Sequence, residues 1–348
     1  MPRSILFAIT LIAAPAFAQP FAPDAGRAPP SPEMPPAQVL AQFHHDEINL
    51  LALRGDAHSL LAAALMAQAD AGDPSRPRVL QTQALLARAQ KATDADALVW
   101  WVTAAHDCHG KSKNCPREET QAQLEKADPA NAAVWLWALQ RARQAGDETI
   151  ARAALTSAAQ AARFDDYFGS LTVVLYQAAG ILPVEENILR ASNQADVSPA
   201  GFKLTYAANV AIALPHPYLD ALNAACKDAA TDAGVAQDCI AVAQKLADSG
   251  SLFTRGFGLR LLLQLIPGGA AHDTAAVRAR TLAWRMQHIG ELGARLADDS
   301  RVTGIYMQAL SASGRESDAV DAVLHNQGVA PEPPADWQAP VAESPAQP

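Results

Sequence analysis

The chain has 348 residues, of which 50% are apolar but only 6% aromatic, so alanine supplies much of the apolar share. Charged residues make up 18%, and the formal net charge at pH 7 is −9. This acidic balance argues against a nucleic acid or an anionic membrane surface as partner, because both attract basic patches. Alanine is the best helix former and lets neighbouring helices approach closely.

Residues 1–18 have the pattern of a secretory signal peptide. Arg3 supplies the basic start, an apolar run extends from Ile5 to Ile12, and Ala16-Phe17-Ala18 forms an A-x-A cleavage site. The alternative, a membrane anchor, is disfavoured because the run is too short to cross a bilayer. We therefore expect an exported protein, periplasmic or extracellular, without a membrane span, whose mature chain begins near Gln19.

Two proline-rich stretches flank the central part of the chain. Residues 19–36 are predicted to be an extended linker. Residues 327–348 are predicted to be a Pro/Ala-rich disordered tail, because prolines at this density remove backbone donors and stop helices. Within the tail, Trp337 is either an anchor for a partner that reads proline-rich segments or an exposed tail residue.

Residues 37–326 form the predicted helical repeat domain. Apolar residues recur there with helical spacing, and no run alternates with the period of a β-strand, so no sheet is expected. Short polar breaks with Gly, Asp or Pro separate the helices. The predicted helices lie near 37–53, 57–71, 76–91, 95–107, 117–126, 130–145, 148–162, 166–180, 184–194, 199–214, 217–231, 233–248, 251–266, 273–289 and 302–324, the last with a break near Gly314.

Three stretches in the first half share one helix-then-turn frame, and each begins 37 residues after the one before. A large apolar side chain occupies the first and second apolar positions of every copy. The stretches are Leu61–Asp73, Leu98–Gly110 and Trp135–Asp147, with second apolar positions at Leu65, Val102 and Leu139. A repeat of this length in Ala-rich helices is typical of an α-solenoid, which binds partners along an extended surface.

The third copy resembles a tetratricopeptide repeat. Its order is Trp135-x2-Ala138-Leu139-x2-Ala142, then Gly146, then Ala151-x3-Leu155-x2-Ala158, against the family pattern W-x2-L-G-x2-Y…A-x3-F…P. Small residues stand where the two helices cross, and a glycine stands at the turn. Alanine, leucine and alanine replace the family's leucine, glycine and tyrosine. The resemblance implies an all-α fold, a right-handed α-solenoid of antiparallel helix pairs.

The same resemblance implies that the first helix of the unit lines a concave groove for a partner. The candidate binding residues in that helix are Leu136, Gln140, Arg143 and Gln144.

Two tryptophans add a weaker indication of a binding surface. Trp137 points away from the apolar stripe of its helix, and Trp100 occupies the equivalent position one repeat earlier. Each either belongs to the binding surface or packs against a neighbouring repeat. Trp135 lies on the stripe itself and is predicted to be in the core.

The four cysteines form two local pairs. Four cysteines allow three pairings, and in an exported protein the local one, Cys108–Cys115 with Cys226–Cys239, has the lowest loop-closure cost. The alternative is a metal site that uses the nearby His106 and His109. The spacing matches no zinc pattern, and c-type haem would require C-x-x-C-H, so no metal or cofactor is expected.

The run His44-His45-Asp46-Glu47 is interpreted as a polar first turn of a helix, because adjacent helical residues point about 100° apart and do not converge on a ligand. No H-E-x-x-H, G-x-S-x-G or Walker-type motif is present, so no catalytic residue is assigned.

These observations predict an exported helical-repeat interaction or scaffold protein with a protein or peptide partner. A first alternative is a cell-envelope enzyme, for example one acting on peptidoglycan, built on a helical scaffold; buried, closely spaced carboxylates in a deep pocket would favour it. A groove lined by polar and aromatic residues would favour binding. A second alternative is a dimerising structural protein, and the oligomeric state remains open.

Overall fold

The computed structural model describes residues 34–69, 78–108, 115–227 and 232–339. Within these ranges the chain is all-α, as predicted, with 17 helices and no β-strand. No helix in the described part is long and apolar enough to cross a membrane. The helices are α1 Pro36–Arg54, α2 Ala57–Ala69, α3 Arg78–Lys91, α4 Ala97–Asp107, α5 Glu118–Ala127, α6 Ala132–Ala145, α7 Glu148–Gln160, α8 Phe168–Ala178, α9 Glu186–Ala191, α10 Pro199–Ile212, α11 Pro217–Cys226, α12 Ala233–Ala247, α13 Leu252–Leu265, α14 Ala270–Glu291, α15 Gly293–Asp298, α16 Ser300–Ser313 and α17 Glu316–Asn326.

The predicted signal peptide, and all of the predicted linker before residue 34, lie outside the described residues.

The three copies of the 37-residue frame are helices α2, α4 and α6. Their second apolar positions, Leu65, Val102 and Leu139, are at most 2% exposed, so the frame marks buried helix faces. The first apolar position is buried in α2 and α4 and partly exposed in α6.

The unit that resembles a tetratricopeptide repeat is a helix–turn–helix pair, α6 and α7, packed against each other. Asn131 begins α6 by accepting a hydrogen bond from the Ala133 amide at 3.1 Å. Gly146 ends it with φ +72°, a conformation that costs glycine little and other residues more. Asp147 then caps α7 by accepting from the Ile150 amide at 2.9 Å.

Packing extends beyond sequence neighbours, which differs from the predicted linear array. In a solenoid each repeat contacts only the adjacent ones, whereas α8 contacts α2, α10 and α16, and α1 contacts α9. The physical reason lies in the composition of α8, whose sequence is apolar around most of its circumference. Leu171 and Leu175 of this helix are at most 1% exposed and Gln177 is exposed, so the helix is covered on most of its sides, as expected for a largely apolar helix.

Both predicted disulfides are present. Cys108, directly after α4, pairs with Cys115, and Cys226 at the end of α11 pairs with Cys239 within α12, with Cα–Cα distances of 4.8 and 5.8 Å. Because both sulfurs of each pair are bonded, they do not serve as thiolate ligands in a metal site.

The C-terminal segment, residues 327–339, is held against α14 by several hydrogen bonds, among them one from the indole of Trp284 to the carbonyl of Ala330. It therefore differs from the disordered tail that proline content predicts, because side chains of α14 satisfy its exposed carbonyls. Residues 340–348 lie outside the described part of the chain.

The polar run at 44–47 does not form a first turn, because α1 already begins at Pro36. Glu47 is 1% exposed and lies 3.3 Å from the Nδ1 of His44. Burial raises the pKa of Glu47, and its contact with His44 partly offsets that rise.

Candidate functional site

A polar cleft of about 300 Å³ lies where three interhelical turns meet. The turns are those between α7 and α8, between α12 and α13, and between α16 and α17. The lining residues are Ala162, Arg163, Phe164, Asp165, Asp166, Gly169, Ser170, Lys245, Asp248, Gly250, Ser251, Ser313, Gly314 and Arg315.

The close approach of α8 to the α16–α17 turn depends on a glycine. A Cβ atom at Gly169 would lie 2.0 Å from the carbonyl oxygen of Gly314, closer than any side chain allows. Gly314 itself has φ +67° and ends α16. Backbone therefore packs directly on backbone at two of the residues that line the cleft.

The α7–α8 turn is fixed by the residue that begins α6. The side-chain amide of Asn131 donates to the carbonyl of Asp165 at 2.8 Å and accepts from the amide of Asp165 at 2.9 Å. The Ala132 amide also donates to the Arg163 carbonyl at 2.7 Å. Asn131 is fully buried, so these bonds are shielded from competing water.

A buried carboxylate holds the other side of this turn. Asp128 accepts hydrogen bonds from one guanidinium nitrogen of Arg163, at 2.9 and 3.0 Å, and a short one from the Tyr167 hydroxyl. Tyr167 has φ +57°, which is rare for a side chain of this size. The contacts of its hydroxyl with Asp128 and of its ring with Trp101, at 5.5 Å between centroids, hold it there.

An aromatic cluster lies beneath the turn. Trp101, Trp137, Tyr167 and Tyr218 approach one another with ring centroids 4.9–5.5 Å apart. Trp101 and Trp137 are at most 2% exposed and Tyr218 is fully buried, so the cluster is core. It forms a rigid support for the loop that carries the polar residues of the cleft.

The two adjacent acids of the turn have different environments. Asp166 is 5% exposed, and its oxygens accept from the Thr254 hydroxyl at 2.5 Å and the Phe168 amide at 3.2 Å. Asp165 accepts from the Tyr167 amide at 2.8 Å. Burial raises the pKa of Asp165, and the negative charges of Asp166 and Asp128 add to the rise.

A third carboxylate, Glu316, joins the two other turns. It accepts a hydrogen bond from the Leu252 amide at 2.7 Å, so α17 and α13 begin at one shared contact. Burial raises its pKa to about 7, and the charge of Asp166 contributes. The Leu252 hydrogen bond and Arg255 act in the opposite direction.

Three cations, Arg163, Lys245 and Arg315, line the same cleft. The hydrogen bonds described for them use only some of their N–H groups. Lys245 donates to the Ala159 carbonyl at 2.7 Å, and one nitrogen of Arg315 donates to the Asp248 carbonyl at 2.9 Å. The side chains of Arg163 and Arg315 are 50% and 42% exposed. The cleft therefore offers solvent-facing N–H donors next to carboxylates, an arrangement suited to a polar ligand carrying both charges.

Three acids in or next to the cleft are engaged in maintaining the fold. Asp128 pairs with Arg163, Asp166 holds Thr254, and Glu316 holds the start of α13. A general acid or base needs a proton position directed at a substrate, and these carboxylates are directed at backbone and side-chain donors of the protein.

The residues predicted from the helical-repeat resemblance do not converge on this cleft. Leu136 and Trp137 are fully buried, so they pack in the core. Trp135, which was predicted to be in the core, has a partly exposed ring that packs against the core, and its indole N–H donates to the Pro129 carbonyl at 2.9 Å. Trp100 is partly buried against the main core.

The remaining three predicted residues lie on the accessible side of α6. Gln144 accepts from the Cys115 amide at 3.0 Å and so ties α6 to the first disulfide. Arg143 lies 4.0 Å from Glu148, and Gln140 is partly exposed. None of the three lines the cleft.

Sequence reasoning missed the cleft because its members come from three distant turns. The one local indication is the run Arg163-Phe164-Asp165-Asp166-Tyr167, in which charged residues interrupt the apolar pattern between two helices.

The chain matches no protein-family model, and no curated protein and no solved structure shows significant similarity to it.

Proposed function

We propose that this chain is an exported, all-helical binding protein that holds a polar segment of a protein or peptide partner in the cleft between its three turns. The observation that carries the proposal is the presence of three partly exposed cations, Arg163, Lys245 and Arg315, beside Asp165 and Asp248. A peptide segment presents both carbonyl acceptors and N–H donors, so it can pair with both kinds of group.

The size of the cleft supports a segment of a larger partner. A volume of about 300 Å³ is at the lower end of the range for complete small-molecule sites. Its walls are polar turns, whereas small-molecule sites are mostly apolar. A chain end or short loop of a partner fits such a site, with the rest of the interface outside it.

Export is supported by two independent features. The N-terminal residues follow the secretory pattern, and both cysteine pairs are bonded, as expected for an oxidising compartment.

Site-specific photo-crosslinking in the native host tests the proposal. A photoreactive phenylalanine at Ser313, which lines the cleft, should capture one defined polypeptide; the same residue at Glu119, an exposed position of α5 outside the cleft, should not. In the chain that carries the photoreactive phenylalanine at position 313, Arg315→Glu should reduce the yield of the crosslinked adduct at least tenfold. Identical adducts from both positions, or none from Ser313, would remove the cleft as the binding site.

The salt dependence of the interaction provides a second measurement. Because exposed charges are screened over about 8–10 Å at 0.10–0.15 M ionic strength, the adduct yield from Ser313 should decrease as salt rises. A yield independent of salt would show that the cleft's charges do not contribute to binding.

A further inference from the structure

The C-terminal segment contacts α14 mainly through its own backbone. The guanidinium of Arg280 donates to the carbonyls of three residues of the segment, with that of Trp337 at 2.8 Å. The indole N–H of Trp284 donates to the Ala330 carbonyl at 2.9 Å. Arg280 and Trp284 are four positions apart and therefore share one face of the helix. Two side chains thus hold four carbonyls of the segment.

Trp337 supplies a side-chain anchor. Its ring meets that of Trp284 edge to face, at 85° with centroids 5.4 Å apart, and the Arg280 guanidinium lies 5.7 Å from its centroid. Trp284 is held in turn by the ring of His288, 3.8 Å away between centroids. His288 Nδ1 lies 2.9 Å from the Trp284 carbonyl. The aromatic platform is therefore positioned by α14 itself.

The chemistry of this contact matches recognition of proline-rich chains. Proline has no N–H, so Pro331, Pro333 and Pro334 donate no backbone hydrogen bond, and the carbonyls of the segment depend largely on side-chain donors. The Pro334 carbonyl also accepts from the Trp337 amide at 3.0 Å. Aromatic surfaces with adjacent N–H donors bind such chains. The acidic side chains of the segment, Glu332 and Asp336, are exposed, and no ion pair joins them to α14 among the described residues.

The contact between the C-terminal segment and α14 is also one that a competing chain can replace. Trp337, Trp284 and Arg280 all remain partly exposed, and no residue of 330–337 belongs to the buried core; of the segment, only Val329 packs against it. Regions with few buried apolar contacts open with a small free-energy cost. Gly328, with φ +72°, connects the segment to the end of α17.

We propose that Arg280, Trp284 and His288 form a second binding site, for a tryptophan-containing proline-rich segment of a partner protein, which residues 330–337 occupy as a built-in competitor. The bonds are made to backbone carbonyls and one indole, so a partner segment with the same spacing satisfies them equally. The site is separate from the cleft and does not depend on the function proposed for it.

Tethering sets how strongly the built-in segment competes. A short flexible connection gives an effective concentration on the order of 1 mM. Against a free peptide with a Kd of about 10 µM, the built-in segment reduces apparent affinity about a hundredfold. A partner must therefore bind more tightly, or be multivalent, to displace it.

Fluorescence anisotropy with a labelled peptide of residues 327–339 tests the site in the full-length chain. The Trp337→Ala chain, whose own segment loses its anchor, should bind the peptide about a hundredfold more tightly than the unmodified chain. Adding Arg280→Gln to that variant should abolish binding, as should replacing the tryptophan of the peptide by alanine. Equal affinity of the unmodified and Trp337→Ala chains, or binding that survives Arg280→Gln, would overturn the proposal.

Two further measurements on the unmodified chain complete the test. Excess peptide should accelerate amide hydrogen exchange within residues 330–337, and unchanged exchange at saturating peptide would contradict displacement. Light scattering should show the same mass for the unmodified and Trp337→Ala chains. A dimer that dissociates on Trp337→Ala would instead assign the site to exchange of this segment between two copies.

Discussion

Replacing Glu316 by glutamine should stabilise the protein at neutral and alkaline pH. Glutamine keeps an oxygen that can accept from the Leu252 amide, now 2.7 Å from the carboxylate, but removes a negative charge held in a partly buried position near Asp166. Burial, the largest influence, raises the pKa of Glu316 from 4.5 to about 7. At about 1.4 kcal/mol per pH unit, this difference corresponds to about 3 kcal/mol.

The pH dependence has a definite sign. Below pH 4.5 Glu316 is mostly protonated in both the folded and the unfolded chain, so no ionised carboxylate lowers the free energy of unfolding. Above about pH 7 it is ionised in both, and the folded state bears the full cost of the buried charge. The free energy of unfolding contributed by this group therefore falls by about 3 kcal/mol as pH rises between these values.

Urea unfolding followed by far-UV circular dichroism at pH 5, 6, 7 and 8 measures the effect. Glu316→Gln should raise the free energy of unfolding by about 2–3 kcal/mol at pH 8 and by much less at pH 5. The matched control is Glu291→Gln on α14, an exposed position, with a change within about 0.5 kcal/mol at every pH. A destabilised Glu316→Gln chain at pH 8, or a gain that does not vary with pH, would refute the reasoning.

Three further predictions concern the fold. Alkylation of the denatured protein without reductant should leave its mass unchanged, whereas four alkyl groups should add after reduction. Replacing both Cys226 and Cys239 by alanine should lower the free energy of unfolding, measured in urea, by about 2–4 kcal/mol. Trp137→Ala should cost about 3–5 kcal/mol. Trp135→Ala, which loses one hydrogen bond and a partly buried contact with the core, should cost about 1–2 kcal/mol; equal costs would contradict the assignment of the core tryptophan. Gly169→Ala should lower the thermal midpoint, because the added methyl meets a carbonyl of the α16–α17 turn. The control is Gly304→Ala on an open face of α16, which should raise the thermal midpoint, because the free energy of unfolding increases by about 0.4–1 kcal/mol. A Gly169→Ala chain as stable as the original would contradict the close backbone contact.

Most of the helices were predictable, because helix propensity and capping depend on neighbours in sequence, although the short helix α15, Gly293–Asp298, was not predicted. Gly146 and Asp147 mark the end of α6 and the start of α7 through their own backbone conformation and capping bond. The disulfides were predictable for a similar reason, since cysteines 7 and 13 residues apart close small loops.

The two tryptophans of α6 show where local periodicity fails. A stripe at helical spacing identifies one buried face, and it places Trp135 in the core. Helix α6 packs against α11 as well as α5 and α7, so a second face is covered, and it carries Trp137. The partner that buries Trp137 includes Tyr218, 81 residues later in the chain, which no local pattern can indicate.

The sequence by itself determined the helical content, the paired cysteines and the export pattern, because propensity, capping and loop closure act over a few residues. Only the tertiary structure decided which polar residues meet. Asp166 reaches Thr254 across 88 positions, and Glu316 reaches Leu252 across 64. It also decided that the proline-rich C-terminal segment is held, because the donors that satisfy its carbonyls lie on α14, about 50 residues earlier. Contacts at such separations depend on how whole helices pack against one another, and helical spacing along a single segment does not specify that packing.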